Sequence, residues 1–178
     1  MAENYLDWKD GYKSLSDFEN DIAFLSSKVV VIPESAGSLA ELGLFFGNPK
    51  IRKKMTVILN TPHHASESFI KFGILNPLEE LDDQAVLPYD IDYEDVESVI
   101  VTEVEEALQE VIEHCQKMKS SKAFSKDDRG HRLFLLFQII DLFHALTKKE
   151  ISHYLSLLDI SLSSAKLRSS LYLSLIHI

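Results

Sequence analysis

The sequence predicts an α/β domain built on a parallel sheet, followed by a smaller all-α domain. Val29 to Ile32 form a run of β-branched residues with no polar position, as in a strand that is buried on both faces of a parallel sheet. A second apolar run follows at Met55 to Leu59. Beyond residue 120 the pattern indicates helices alone, and the sign of the net charge changes there.

Charge divides the chain into two unequal parts. Residues 1–119 carry 10 basic and 23 acidic side chains, whereas residues 120–178 carry 8 basic and 5 acidic ones. An acidic front part disfavours direct contact with nucleic acid, and a basic rear part permits it. The Ser- and Lys-rich stretch 119–128 lies at this change and is predicted to be a linker. The predicted domains are therefore 1–118 and 129–178.

Composition excludes several classes of protein. Cys115 is the single cysteine, so an internal disulfide framework is excluded and a reducing compartment, the cytoplasm, is predicted. The longest apolar stretch, Leu133 to Phe143, is too short to span a bilayer. His63 and His64 are adjacent, so they do not share a face, and no third clustered ligand follows. They are interpreted as loop residues, and no metal or other cofactor is expected.

Residues 28–47, KVVVIPESAGSLAELGLFFG, contain the strongest candidate for a functional site. Pro33 ends the predicted strand, Glu34 to Gly37 makes a turn of small residues, and Ser38 opens a helix. Ligands of open α/β sheets bind at the carboxyl ends of the strands, where this turn falls. Glu41 has two interpretations. It closes a capping box with Ser38, which spacing alone favours, or it is a catalytic acid.

The segment G-S-x-x-E-L-G-x-F after an apolar strand resembles the nucleoside 2-deoxyribosyltransferase superfamily. The resemblance implies a Rossmann-like domain, here partly truncated, because residues 1–15 lack the family's first strand and helix. It implies that Glu41 is the nucleophile that attacks the anomeric carbon of a sugar. Glu34 stands where the family has an aspartate that contacts the sugar. Asp21, on the preceding helix, is the nearest match to another active-site acid, and the alternative is that it lies on a solvated polar face.

The same resemblance predicts the substrate contacts Ser35, Gly37, Ser38 and Asn60. It implies that a nucleoside, a nucleotide or NAD is the substrate and is cleaved at its N-glycosidic bond. Ser35 departs from the family, which has an acid at that position, and this departure favours an alternative. In that alternative the loop only holds a nucleotide, as in lonely-guy and nucleotide-sensing domains. A transcriptional regulator whose front domain serves for dimerisation is a third interpretation.

The rear domain resembles a winged helix-turn-helix that is truncated at its C-terminal end. Thr147 and Glu150 form a predicted capping box, a turn follows at residues 159–161, and a second helix runs over residues 163–173. Such a motif places its second helix in a major groove. The side chains predicted to face outward are Ser164, Lys166, Arg168 and Ser170, of which the first three are the predicted DNA contacts. A small helical bundle used for protein contacts is the alternative.

The sequence ESAGSLAELGLF is closer still to bacterial retron effector proteins, toxins with a deoxyribosyltransferase-like domain and a winged-helix domain. The resemblance implies an anti-phage effector that a reverse transcriptase and its branched RNA–DNA product hold inactive. The implied partners are these two molecules and DNA, with no membrane, and a homo-oligomer is left open. We expect the natural protein to extend beyond both ends of this sequence, and residues 174–178 to be foreign to it.

Further elements are predicted with less specific signals. A helix is expected to start with a capping box of Ser16 and Glu19, and a weak strand is expected at Val99 to Val101. The next helix, from Thr102 onward, is expected to turn Val104, Leu108, Val111, Ile112 and Cys115 inward. The helix from His131 to Leu146 is apolar almost all round, Phe134 and Phe143 included, so we expect it to be buried either inside the rear domain or at a subunit interface.

Overall fold

The structure is a computed structural model that describes residues 8–89, 100–117 and 123–177. It divides into two compact units: the described residues of 26–121, here the sheet unit, and those of 1–25 and 122–178, here the helical unit. The elements in chain order are α1 (Leu15–Leu25), β1 (Val29–Val31), α2 (Ala36–Phe46), α3 (Pro49–Arg52), β2 (Met55–Asn60), α4 (Thr61–Ala65), a π-helical turn (Lys71–Leu75), α5 (Asn76–Glu79), β3 (Val86–Tyr89), α6 (Ile100–Lys117), α7 (Arg129–Phe143), α8 (Lys148–Leu157) and α9 (Ser164–His177).

The sheet unit contains a parallel sheet in the order β1–β2–β3. Val31 of β1 pairs with Val57 of β2, and the pairing of β2 with β3 extends to Asn60 and Tyr89. All residues of β2 are buried, as expected for the middle strand of a parallel sheet. The predicted α/β class and its two strands are confirmed. β3 was not predicted, because Pro88 interrupts its sequence. Proline is tolerated in an edge strand, which is the position of β3 in the described sheet.

Helix α6 differs from its prediction in where it begins and which face it buries. Ile100 and Val101 are helical, so the strand expected at Val99 to Val101 is wrong, and Val99 itself lies outside the described residues. Ala107 and Val111 are buried, whereas Leu108 and Ile112 are exposed. The inward position expected for Val111 is therefore confirmed, and the inward positions expected for Leu108 and Ile112 are wrong.

The helical unit has two buried clusters that meet on α7. Leu136 and Ile139 of α7 belong to the larger cluster, with residues of α8 and α9. Leu133 of α7 joins Phe18 of α1 in the second cluster. The structure thus packs α1 against α7, whereas the predicted domain of residues 1–118 includes α1. The boundaries of the two domains stay a prediction.

Helix α7 buries one stripe of its surface and not its whole circumference. Leu133, Leu136 and Ile139 are buried, but Phe134 and Phe143 are exposed in the single chain, so their expected burial inside the rear domain is wrong. Burial at a subunit interface, the other expectation, stays a prediction. An apolar sequence shows what a helix is able to bury, and the number of neighbouring elements decides what it does bury. Within the described parts of the chain, none of the helices combines the length and the apolar character that a membrane crossing requires.

The starts of α1 and α8 test two predicted capping boxes. At α8 the box is confirmed, because Glu150 N donates to Thr147 Oγ1 at 3.3 Å and Thr147 N donates to Glu150 Oε2 at 2.8 Å. At α1 the box of Ser16 and Glu19 is wrong. The helix begins at Leu15, and Ser14 Oγ accepts from Asp17 N at 3.3 Å. A serine two positions earlier therefore caps this helix.

Gly130 provides a test of the packing of α1 on α7. A Cβ at this position would lie 2.7 Å from the carbonyl oxygen of Phe24, which is backbone and cannot rotate away. We expect Gly130→Ala to lower the free energy of unfolding of the helical unit by about 1–3 kcal/mol through overpacking. Urea titration followed by the fluorescence of Trp8, the single tryptophan, measures this, because Trp8 packs against the cluster that contains Leu133.

Gly43→Ala in α2 is the matched control for this substitution. A Cβ at Gly43 meets nothing within 4 Å. Because alanine is the better helix former, Gly43→Ala is expected to raise the stability of the sheet unit by about 0.5–1 kcal/mol, followed by circular dichroism. A Gly130→Ala protein as stable as the unmodified chain would show that α1 and α7 are not in this close contact.

The capping box of α8 makes the stability of the helical unit depend on pH. Hydrogen bonds from the backbone and the hydroxyl of Thr147 hold the pKa of Glu150 below its ordinary value of 4.5. A carboxyl group whose pKa is lowered by folding stabilises the fold above the unfolded pKa, and this contribution is lost as the pH falls through the folded pKa. We therefore expect the difference in Tm between the unmodified chain and Glu150→Gln to shrink below pH 4.5. A difference that stays constant on acidification would contradict this role of the carboxylate.

Candidate functional site

The candidate site lies at the carboxyl ends of β1 and β2 in the sheet unit. After β1 a short loop leads to Ser35, the N-cap residue of α2, and β2 ends at Asn60, the N-cap residue of α4. The two strands are parallel, and Val31 pairs with Val57. Glu34 and Asn60 each lie three residues beyond that pair, so both reach the same edge of the sheet. The fold thus brings the predicted residues of the first loop and Asn60 to one edge.

The start of α2 is fixed by a reciprocal pair of hydrogen bonds between two serines. Ser38 N donates to Ser35 Oγ at 3.1 Å, and Ser35 N donates to Ser38 Oγ at 2.9 Å. The capping box therefore consists of Ser35 and Ser38, and the expected box of Ser38 and Glu41 is wrong. The sequence contains overlapping S-x-x-S and S-x-x-E patterns, and the structure uses the first of them. The helix consequently begins at Ala36.

This correction changes the interpretation of Glu41. With the helix beginning at Ala36, Glu41 lies in the second helical turn, beyond the backbone N–H groups that a capping side chain satisfies. The side chain of Ser38 occupies the capping position that Glu41 was expected to fill. Glu41 is partly exposed, and Glu34 in the preceding loop is exposed, so a ligand from solvent is able to reach both carboxyl groups. Two accessible carboxyl groups on one loop–helix unit are the set that glycosidic chemistry uses.

Gly37, at the second position of α2, leaves the helix start open. A Cβ at this position would meet Ser35 Oγ at 3.6 Å, which is ordinary contact, so packing within the fold does not require glycine there. The first turn of α2 contains no acidic residue. Backbone N–H groups and the helix dipole make such a start favourable for an anion such as phosphate. Gly37 and the start of α2 therefore offer room for a phosphate-bearing ligand.

A histidine and a carboxylate form a pair near Asn60, and this pair was not predicted from the sequence. His64 Nε2 lies 2.9 Å from Glu79 Oε1. His63 and His64 belong to α4, so their interpretation as loop residues is wrong. A histidine beside a carboxylate is suited to proton transfer. No pattern in the sequence predicts the pair, because Glu79 belongs to α5 and is separated from α4 by the π-helical turn. Among the described residues, no group of three or more His, Cys, Asp or Glu side chains could hold a metal ion.

Asp21 belongs to the helical unit, whereas Glu34 and Glu41 belong to the sheet unit. Its side chain is 3% exposed, Tyr12 Oη donates to its Oδ2 at 2.8 Å, and Arg129 Nε forms an ion pair with its Oδ1. The alternative that Asp21 lies on a solvated face is wrong. The structure does not place Asp21 in the same unit as the two glutamates. Its catalytic assignment stays a prediction.

Burial governs the ionisation of this network. Desolvation raises the pKa of the Asp21 carboxyl group, although the hydrogen bond from Tyr12 and the charge of Arg129 act in the opposite direction. Desolvation also raises the pKa of Tyr12, and its hydrogen bond to the Asp21 carboxylate adds to the rise. Buried carboxylates are stable when they are paired and hydrogen-bonded. Tyr12 and Arg129 therefore make Asp21 a bridge between the segment before α1, α1 itself and α7.

The predicted DNA contacts lie at the start of α9. Ser164 and Lys166 are exposed, and the exposed Arg168 donates from Nε and Nη2 to the carbonyl oxygen of Asp10 at 3.1 and 2.7 Å. Ser170, which was expected to face outward, is buried, and its hydroxyl donates to the carbonyl oxygen of Lys166 at 2.8 Å. Two helices joined by a turn are present as α8 and α9. The wing and the placement of α9 in a major groove stay predictions.

A pair of substitutions distinguishes a structural role of Asp21 from a catalytic one. Asp21→Ala leaves the buried hydroxyl of Tyr12 without its acceptor, which is expected to cost about 1–3 kcal/mol of unfolding free energy. Asp17→Ala, at an exposed position of the same helix, is the control and is expected to cost less than about 1 kcal/mol, mainly through the helix dipole. Urea unfolding followed by Trp8 fluorescence measures both. Equal stability of the two variants would contradict the structural role.

Comparison with curated proteins identifies two relatives from Escherichia coli. The "Retron Ec86 putative ribosyltransferase/DNA-binding protein" is 34% identical over 77 residues, which cover 43% of this chain and 25% of the relative. The Ec73 protein of the corresponding name is 31% identical over 72 residues, which cover 40% of this chain and 23% of the relative. The alignments thus span about a quarter of the length of each relative.

A family profile covers much more of the chain than these alignments. The profile described as STM3845 retron effector protein matches residues 1–176. That range includes both the loop of Glu34 and Glu41 and the start of α9 with Lys166. Because the match extends over nearly the whole sequence, the chain belongs to the STM3845 retron effector family.

Proposed function

We propose that this retron effector cleaves the N-glycosidic bond of a nucleoside, a nucleotide or NAD in its sheet unit and binds DNA through its helical unit. The observation that supports the first part most directly is the capping box of Ser35 and Ser38, because it removes the capping explanation for Glu41. The names of the two relatives combine ribosyltransferase with DNA binding, which supports both parts.

In the proposed reaction Glu41 is the nucleophile. A lone pair of its carboxylate forms a bond to the anomeric carbon, and the C–N bond breaks with its electron pair going to the departing base or nicotinamide. Water then attacks the same carbon, loses a proton to the medium and regenerates the carboxylate as the sugar leaves. Glu34 accepts hydrogen bonds from the sugar hydroxyls, and Asn60 borders the same edge of the sheet.

The start of α2 favours phosphate-bearing members of this substrate class. Its first turn has no carboxylate, although the exposed Glu34 precedes the N-cap residue Ser35, and the position of Gly37 lacks a side chain that would cover the backbone. A helix start with these properties attracts an anion. A nucleotide or NAD therefore suits the site better than an uncharged nucleoside. His64, held by Glu79, is suited to protonate a departing base that reaches α4.

Substitution of Glu41 tests the proposed reaction. The chain and its Glu41→Gln variant are incubated with deoxynucleosides, nucleotides and NAD, and released base or nicotinamide is measured by mass spectrometry. Removing a nucleophile is expected to lower the rate by at least about 10³-fold. Glu80→Gln, at an exposed position of the same unit, is the matched control and should keep full activity. A Glu41→Gln protein that releases product at the unmodified rate would overturn the assignment.

A nucleotide-sensing module is the second candidate, and the role of Ser35 favours it. Ser35 stands where the resembled family has an acid, and its hydroxyl is engaged in the cap of α2. In that case the loop would hold a nucleotide without breaking a bond. A nucleotide that is retained through purification, with no product from either protein, would support this candidate over the enzyme.

Membership of the retron effector family supports a role in anti-phage defence, which completes the proposal. A reverse transcriptase and its branched RNA–DNA product are the partners that would hold the effector inactive. Toxicity in a host cell that depends on Glu41 and is suppressed by these two partners is the behaviour that the proposal requires. Toxicity that is independent of Glu41 would separate the effector role from the proposed chemistry.

A further inference from the structure

We propose that the helical unit binds the phosphodiester backbone of a single nucleic-acid strand in a concave cleft, here the basic cleft. The cleft is formed by residues 9–17, the start of α7 and the start of α9. This inference rests on the DNA binding proposed above and specifies its place and its ligand. It differs from the predicted docking of α9 in a major groove.

The basic cleft combines a large volume with a strong excess of positive charge. It encloses about 580 Å³, and the residues that line it all belong to the helical unit. Six cationic and two acidic side chains line it, which gives the lining a net charge of +4 in a chain whose net charge is −10. The acidic residues are Asp10 and Asp17. The cationic ones are Lys9, Lys13, Arg129, Arg132, Lys166 and Arg168.

The three arginines of the cleft are held in place by other groups of the fold. Arg168 donates to the carbonyl oxygen of Asp10, Arg132 Nη1 donates to the carbonyl oxygen of Lys126 at 2.8 Å, and Arg129 is paired with the buried Asp21. A guanidinium group has five N–H donors, and these contacts use one or two of them on each side chain. The remaining donors are available to phosphate oxygens, and the side chains lose little freedom on binding. Asp21 is in this sense a positioning residue for the cleft.

The positive charges of the cleft are largely unpaired within the fold. Across residues 8–89, 100–117 and 123–177, Arg129 is paired with a carboxylate, whereas the other five cationic residues of the lining form no ion pair. Clustered cations repel one another unless an anion is present between them. A ligand with several regularly spaced negative charges, such as a phosphodiester chain, would therefore lower the energy of this unit. Binding of this kind releases counterions and depends strongly on salt.

The surroundings of α9 favour a single strand over a duplex. A recognition helix enters a major groove about 12 Å wide with the residues of its N-terminal part leading. Here Arg168 and Ser169 donate to the carbonyl oxygens of Asp10 and Gly11, so that residues 10–11 lie across this part of α9. Lys166 and Arg168 consequently line the wall of a cavity. A flexible single strand is able to follow a basic groove of this kind, whereas docking in a major groove requires an element that protrudes into it.

Fluorescence anisotropy with labelled DNA tests the proposal on the complete chain. The probes are a single-stranded oligothymidylate of about 20 nucleotides and a duplex of the same length, a choice suited to non-specific backbone binding. The test variant, Lys13→Gln/Lys166→Gln, removes two exposed cations from the cleft. The control variant, Lys148→Gln/Lys149→Gln, removes two exposed cations of α8 that do not line the cleft. Circular dichroism verifies that all proteins are folded.

The expected result is tighter binding of the single strand than of the duplex. The cleft variant should weaken that binding about tenfold and reduce the slope of log K against log salt by about 1.4, because each phosphate contact on a single strand contributes about 0.7. The control variant should change neither quantity appreciably. Equal losses in the two variants would overturn the cleft as the site, and tighter binding of the duplex would overturn the single strand as its ligand.

The outcomes also separate this inference from the proposed function. If neither probe binds, both the basic cleft and the proposed DNA binding are overturned. If DNA binds but the cleft variant behaves like the control, DNA binding stands and the cleft is overturned. The Glu41→Gln protein should bind the single strand as tightly as the unmodified chain, because Glu41 belongs to the sheet unit. Failure of the glycosidic reaction would therefore leave the test of the cleft unaffected.

Discussion

The candidate active site depends on the reciprocal hydrogen bonds between Ser35 and Ser38. Their hydroxyl groups and backbone N–H groups satisfy one another, which fixes the first turn of α2 and thereby the position of Glu41 in the second turn. The parallel pairing of β1 with β2 then brings the loop that contains Glu34 to the same edge of the sheet as Asn60. Two small side chains therefore define the backbone geometry at this edge of the sheet. The carboxyl groups of Glu34 and Glu41 are exposed or partly exposed, so a ligand is able to reach them.

The helical unit is held together by contacts between residues that lie far apart in the sequence. Gly130 allows α7 to approach the end of α1, and Asp21 joins Tyr12 and Arg129 across three segments of the chain. A buried carboxylate is an unfavourable choice for stability alone, since apolar residues of similar volume often serve as well. Its ion pair with Arg129 has a different benefit, because it holds one guanidinium group of the basic cleft in place.

Features that depend on residues close together in the sequence were largely predicted. Features that depend on contacts between residues far apart in the sequence were not. The buried strands β1 and β2 and the capping box of Thr147 and Glu150 are local patterns, and the structure confirms them. The start of α2 was misplaced because two capping patterns overlap there, and residue spacing alone does not select between them. The burial of Asp21 depends on Arg129, far along the chain, and the pairing of His64 with Glu79 depends on the path between α4 and α5. No periodicity in the sequence contains such information.

The two candidate sites attract anions by different means, and this difference bears on how one chain could serve two ligands. At the start of α2 the attraction comes from backbone dipoles, which act over the first turn of a helix and suit one compact phosphate group. In the basic cleft the attraction comes from the lysine and arginine side chains of the lining. Their field extends roughly one Debye length, about 8–10 Å, which suits a chain of phosphates. The acidic residues of the front part repel a polyanion from the first site, whereas in the lining of the second site six cationic side chains outnumber Asp10 and Asp17. A nucleic acid and a small nucleotide would therefore bind this effector at separate places, and competition between them is not expected.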